Sequence, residues 1–266
     1  MADQDNIIVE ARDGVEIVTL NRPDSLNALS EALVAELTAY VHGLRKRPQV
    51  RVVLLRGAGR AFCAGLDIKE HRTPTAETKF QRAWRVQLEL VEIIRAMRNA
   101  SQPFIALGHG AACGGGFSLL MGADVRIGAP SLRMNAAYIK IGLGGADIGS
   151  SYLLPRLVGT SVAAELLLTG RFIHADRALQ VGLLSSIVPE EELLDAGLAL
   201  AAEMTANAPY GLALTKKVLN INIDAPSFDA AVALEDRQQV MLLHTDDHVE
   251  ATTAFVEKRA PVYKGQ

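Results

Sequence analysis

Long apolar runs are missing from this chain of 266 residues, because Arg, Pro, Asp or Gly interrupts each one well short of a membrane span. Neither sign of charge is in excess. With 27 basic and 30 acidic residues the formal net charge is −3, which excludes a nucleic-acid partner held by bulk charge and leaves room only for a local basic patch. Cysteine is scarce: Cys63 and Cys113 form neither a CxxC nor a metal-ligand spacing, which excludes a disulfide framework and suits a reducing compartment. The start, MADQDNIIVE, lacks both the basic residues and the apolar stretch of a signal peptide, so the expected location is the cytoplasm. No linker, low-complexity tract or fixed-period repeat divides the chain. What remains is 49% hydrophobic and 21% charged, an ordinary globular composition long enough for one large domain.

The order of elements follows from periodicity and turn residues. Ile7 to Leu20 reads as a hairpin about Asp13-Gly14, and Ser30 as the cap of a helix whose Leu33, Val34, Leu37, Val41 and Leu44 share a face. A strand is expected over Val50–Leu55. A long helix should run from Thr75 to Asn99 with Phe80, Trp84, Leu88, Val91 and Ile94 in register. Short strands follow at Phe104–Leu107, Asp124–Ile127 and Leu132–Met134. From Ser150 onward helix signals dominate, with only Ile187-Val188 breaking them, so the fold class is α/β with a helical last third.

CGGGFSLLMG (113–122) places Gly114, Gly115 and Gly116 directly before an apolar run. Glycine inside an element is disfavoured by roughly 0.5–1 kcal/mol against alanine, so three together imply close approach to the backbone. Either a tight strand-to-helix turn is packed hard against a neighbour, or a ligand oxygen meets the unpaired N–H groups of a helix start.

Other motifs fall short of their chemistry. GAGRAF (57–62) and GHGAAC (108–113) lack the third glycine of a dinucleotide fingerprint, and no acidic residue ends the next strand. Cys113 lies four residues after His109, and Cys63 eight before His71, but free cysteines are ordinarily small buried hydrophobes rather than hydrolase nucleophiles. In HTDDH (244–248) Thr245 occupies the place of a zinc protease's glutamate, so a helix start at Asp246 or Asp247 is the expected role.

Two segments read together are more specific. AFCAGLDIKE (61–70) and GHGAACGGGFSLLMGADV (108–125) both close a strand in small residues and open a helix. One backbone N–H from each, converging on one oxygen, makes an oxyanion hole for an enolate or tetrahedral intermediate of a thioester.

With those segments, NRPDSLNAL (21–29), YIKIGLGGADIGSSYLLPRLVG (138–159), LLLTGRFIHADRALQVGLLSSIVP and AFVEKRAPVYK, the chain resembles the crotonase, or enoyl-CoA hydratase/isomerase, family over nearly its whole length. The resemblance implies an α/β crotonase-like spiral of ββα units over about 1–195. A helical region over about 196–266 would trimerise, often as a dimer of trimers. It further implies that the N–H groups of Ala64 and Gly115 form the hole, and that Ala28 and Ala64, Gly65, Leu66, Asp67 and Ile68 line the CoA path. Lys258 would reach a neighbour's CoA phosphates, and no cofactor beyond CoA itself is implied. Asp24 stands where the family often has a basic residue.

The departures decide the chemistry. Ser118 and Tyr138 occupy the places of the two glutamates that family hydratases use. Hydration needs a base for water and an acid for the α-carbon, and neither Ser nor Tyr is a base near neutral pH. Asp147 matches a position where some family members carry a catalytic aspartate; its other reading is the cap of the helix that starts near Ser150. One carboxylate can move a proton between carbons or attack as a nucleophile, so isomerisation or a related enolate reaction is expected over hydration. An acyl-CoA thioester hydrolase and a non-catalytic acyl-CoA binder are the alternatives.

Overall fold

A computed structural model describes residues 5–266 apart from residues 72 and 74 and the side chain of His71. The hairpin is β1 (Ile7–Arg12) and β2 (Val15–Leu20), turned through Asp13 and Gly14 at positive φ, as a two-residue turn requires. Helix α1 (Glu31–Gly43) begins where the Leu33 N–H donates to Ser30 Oγ at 3.1 Å and buries Leu33, Val34, Leu37 and Val41. Strand β3 (Val52–Gly57) follows, then the single turn α2 (Ile68–His71) and the long α3 (Lys79–Asn99). Next come β4 (Phe104–Gly108), β5 (Ala111–Cys113), α4 (Gly115–Gly122), β6 (Val125–Gly128) and β7 (Arg133–Asn135). Helices α5 (Ser150–Val158) and α6 (Thr160–Thr169) precede β8 (Ile173–His174), α7 (Ala175–Gln180) and β9 (Ser186–Ile187). The chain ends in α8 (Leu193–Thr205), α9 (Pro209–Asn222), α10 (Phe228–Leu243) and α11 (Asp246–Glu257).

Six strands form the main sheet in the order β1-β2-β3-β4-β6-β9, parallel except for the hairpin, and β5-β7-β8 form a second. The main sheet is covered on both faces, as parallel sheets require. Val18, Leu20, Val53 and Leu55 face a core shared with α1, α3 and α4, while Ile17, Val52, Leu54, Ile105 and Leu107 meet α8 through Leu193 and Ala201. The expected division near residue 195 therefore cuts into α8, a helix that closes the sheet.

Helix α3 corrects its expected register. Its capping box pairs Thr78 with Gln81, so it starts at Lys79, four residues after Thr75. Phe80, Trp84 and Leu88 are exposed, and the buried face is Arg82, Val86, Leu90, Ile93, Ile94, Ala96 and Met97. The helix carries two apolar stripes, and a buried arginine marks the inner one. Arg82 is held by Glu31 Oε1 at 2.8 Å and by the carbonyls of Glu70 and Thr73, fastening α3 to α1 and to the segment after α2.

Candidate active site

The segment after β3 runs between two neighbours and bonds to both. Phe62 N–H donates to His109 O at 2.9 Å, Cys63 N–H to Ala111 O at 3.1 Å, and Cys113 N–H returns to Cys63 O at 3.0 Å. On the other side Leu29 N–H donates to Gly65 O at 2.8 Å and Asp67 N–H to Leu29 O at 3.1 Å. The Ala64 N–H, expected as an oxyanion donor, donates to Leu26 O at 2.9 Å, so it is occupied and the expectation is corrected. Leu66 N–H has no acceptor among the described residues. The Gly115 N–H, at the first turn of α4, has none either.

The glycines explain how these two N–H groups come together. Gly114 sits at φ +50°, a conformation that side chains disfavour. A Cβ on Gly116 would lie 2.1 Å from Cys63 O. One on Gly65, at φ +90°, would lie 2.6 Å from Cys113 O and 3.3 Å from Gly115 N. Close packing of loop on loop requires the glycines, and that packing brings Gly65-Leu66 beside the start of α4. The close-packing reading of the triple glycine is the one the structure contains.

Leu66 and Gly115 open onto a cavity of about 260 Å³, within which Ala64, Gly65, Ile68, Tyr138 and Asp147 also lie. Ala83, Val86, Gln87 and Leu90 of α3, with Ile141, Leu143 and Ile148, complete its apolar wall. Ala28 and Ser118 are buried outside it, and Lys258 is an exposed left-handed cap at the end of α11. Asp67 also lies outside. Its carboxylate accepts from the Glu70 N–H at 3.2 Å and pairs with Arg22 at 3.0 Å. Burial pushes its pKa up, but these partners outweigh it and hold the group below the ordinary carboxylate value.

Asp147 is the one carboxylate that lines the cavity among the described residues. It does not cap α5 with its side chain: the cap residue is Gly149, and Asp147 meets Ser150 through its backbone. Its Oδ1 accepts from Gln87 Nε2 at 2.5 Å and from the Ile148 N–H at 2.8 Å, leaving Oδ2 without a protein partner. Gln87 was not legible as a site residue, since its partner is 60 positions away.

Behind Asp147, Ser118 Oγ and Tyr138 OH are buried without a hydrogen-bond partner among the described residues. Burial foremost, together with the Asp147 charge, raises the Tyr138 phenol above its ordinary pKa, so it stays protonated near neutral pH and can donate but not act as a base.

Neither cysteine lines the cavity. Burial pushes the Cys63 thiol up to about 12 and raises Cys113 as well, the reverse of an activated nucleophile. The His71 side chain, eight residues after Cys63, lies outside the described residues. His109 is turned away, its Nε2 2.8 Å from Gly59 O. Thr245 caps α11 and Asp247 accepts from the N–H groups of Lys264 and Gly265, so HTDDH is a helix start. Among the described residues no helix is long and apolar enough to cross a membrane.

Comparison with known proteins shows where the chain belongs. The family model described as enoyl-CoA hydratase/isomerase matches residues 10–266. A Mycobacterium leprae protein named "Probable enoyl-CoA hydratase echA12" is 40% identical over 94% of this chain and 87% of its own. The 1,2-epoxyphenylacetyl-CoA isomerase of Escherichia coli K12 is 30% identical over 98% of both chains. The crystal structure of an enoyl-CoA hydratase from Bacillus anthracis superposes with a TM-score of 0.93 at 32% identity, covering 98% of this chain and all of the other. Two unpaired N–H groups beside a lone carboxylate thus sit on a shared fold, and the chain belongs to the enoyl-CoA hydratase/isomerase family.

Proposed function

We propose that this enzyme relocates a proton on an acyl-CoA thioester through an enolate, with the N–H groups of Leu66 and Gly115 stabilising the thioester oxygen and Asp147 carrying the proton. The observation that carries this reading is Asp147 itself, anchored through Oδ1 and free at Oδ2 in an apolar cavity beside those N–H groups. Deprotonation at the α-carbon puts negative charge on the thioester oxygen, where two fixed donors act most strongly. The same carboxyl then returns the proton to another carbon. Water addition would need a second acid–base group, and Tyr138 and Ser118 cannot supply it as bases. The isomerase named among the relatives supports this choice, while those named hydratases supply the reading against which it is tested.

CoA enters as part of the substrate, and no separate cofactor is needed. Lys258, exposed at the end of α11, reaches a neighbour's CoA phosphates in a homotrimer or a dimer of trimers. Exposed Phe228, Met241, Phe255 and Val256 on α10 and α11 support that assembly.

A panel of enoyl-CoA thioesters, with products identified by mass spectrometry in deuterated water, tests the reading. Isomerised product with deuterium at the carbon that receives the proton is expected. Asp147→Asn should bind the same thioesters and lose turnover and exchange together, by about 10²–10⁴. Hydrated product undiminished in Asp147→Asn would overturn it; free CoA would point to the hydrolase, and affinity without product to the binder.

A further inference from the structure

At the opposite end of the strands from the acyl cavity, a second cavity of about 510 Å³ opens beside the starts of β3 and β4 and under α9. Its size is that of a small-molecule site. Arg45, Arg51, Arg98 and Lys217 line it from four different segments, and no Asp or Glu does so among the described residues. Among the described residues the side chains of Arg45, Arg98 and Lys217 make no ion pair, and Arg51 reaches only the Asn207 carbonyl, at 2.7 Å. Burial lowers the pKa of both Arg51 and Arg98, as it does for cations taken from water without adequate compensation.

The carboxylates whose fields reach these arginines are already committed. Asp124 pairs with Lys216 Nζ at 2.9 Å, and Asp224 with Arg156 at 2.5 Å. Asp247 accepts from the N–H groups of Lys264 and Gly265 at 2.7 and 2.9 Å. Among the described residues, four positive charges therefore surround one space with no carboxylate paired to any of them. Gln102 adds a buried Oε1 without a partner, while Val50, Pro209 and the Tyr210 ring give the space an apolar side.

We propose that this cavity binds an organic polyphosphate of nucleotide size. Its phosphates pair with Arg98, Lys217, Arg45 and Arg51, a hydroxyl or amino group donates to Gln102, and its apolar body packs on Tyr210 and Pro209. Guanidinium groups recognise phosphate through paired N–H donors, and partial burial strengthens the contacts of Arg51 and Arg98. The site is separate from the acyl cavity, with which it shares no residue.

Binding of ATP and of inorganic pyrophosphate to the purified protein, measured by isothermal titration calorimetry at constant ionic strength, tests the proposal. ATP is expected to bind with a sub-millimolar Kd and more tightly than pyrophosphate, since only ATP fills the apolar side. Lys217→Gln and Arg45→Gln, both at exposed positions that leave the fold intact, should each weaken ATP about tenfold, and Lys217→Arg should retain it. Turnover of acyl-CoA should not change in any of the three. No ATP binding up to about 1 mM, binding indifferent to the substitutions, pyrophosphate binding as tightly as ATP, or a parallel loss of acyl-CoA turnover would each overturn it.

Discussion

The sheet and the last three helices use opposite rules. In β2, β3 and β4 nearly every side chain is buried, and those that fill the two cores are apolar. In α9, α10 and α11 the buried side chains are Lys216, Asp247 and Ala254, while Phe228, Val240, Met241, Phe255 and Val256 face outward. The first region is held by the hydrophobic effect acting within one chain. The second is fastened by charged pins: Lys216 Nζ meets Asp124 and the carbonyls of Met97 and Gln102, and Asp247 holds the tail. Its apolar surface is exposed, as the proposed assembly requires.

Four variants sharpen or break this contrast. The largest effect is expected within the sheet-borne site. Leu66→Pro deletes an N–H that makes no bond in the protein, so turnover of the folded variant should fall by about 10²–10³, beside whatever stability the lost packing of Leu66 on the core costs. Undiminished turnover in a folded variant would show that the donors lie elsewhere. The next effect concerns the pins. Lys216→Met leaves Asp124 without its cation, and urea unfolding should report a loss of about 3 kcal/mol. An unchanged midpoint would mean that the helices rest on something else.

A smaller effect, visible only in assembly, is expected from the outer apolar face. Phe255→Asp with Val256→Asp should leave the circular dichroism unchanged and shift the sedimenting mass toward the 28.5 kDa of one chain. If the parent already sediments at that mass, the outward residues do not join copies. The smallest effect is on the thiols. Cys63 has a pKa pushed up to about 12, so at pH 8 it is protonated and should resist iodoacetamide until the protein unfolds. Cys63→Ala should leave activity within a few-fold, whereas an acyl adduct on that sulfur would revive the hydrolase.

Local features were legible in the sequence. The Asp13-Gly14 hairpin, the Ser30 cap and the strand-to-helix glycines announce themselves over a few residues, and the structure contains each. What could not be read depends on distant partners. Ala64 and Leu66 are equally plausible donors until the loop at 26–29 is placed, when the Leu26 carbonyl takes one N–H and leaves the other. Phe80, Trp84 and Leu88 have helical spacing as good as that of Val86, Leu90 and Ile93, and only packing decides which stripe is inside. Gln87 and Asp147 meet because α3 crosses the loop before α5, a juxtaposition that no periodicity encodes.

The contact between Gly116 and Cys63 O has a consequence for how the enzyme can change over evolutionary time. The position tolerates no side chain, so the spacing of the two N–H donors is effectively frozen. The acyl wall is not: Ala83, Val86 and Leu90 lie on a helix that can exchange one apolar residue for another without disturbing the loops. On the proposed function, duplicated copies of such a gene can therefore diverge in the thioesters they accept while keeping the spacing of the Leu66 and Gly115 N–H groups intact.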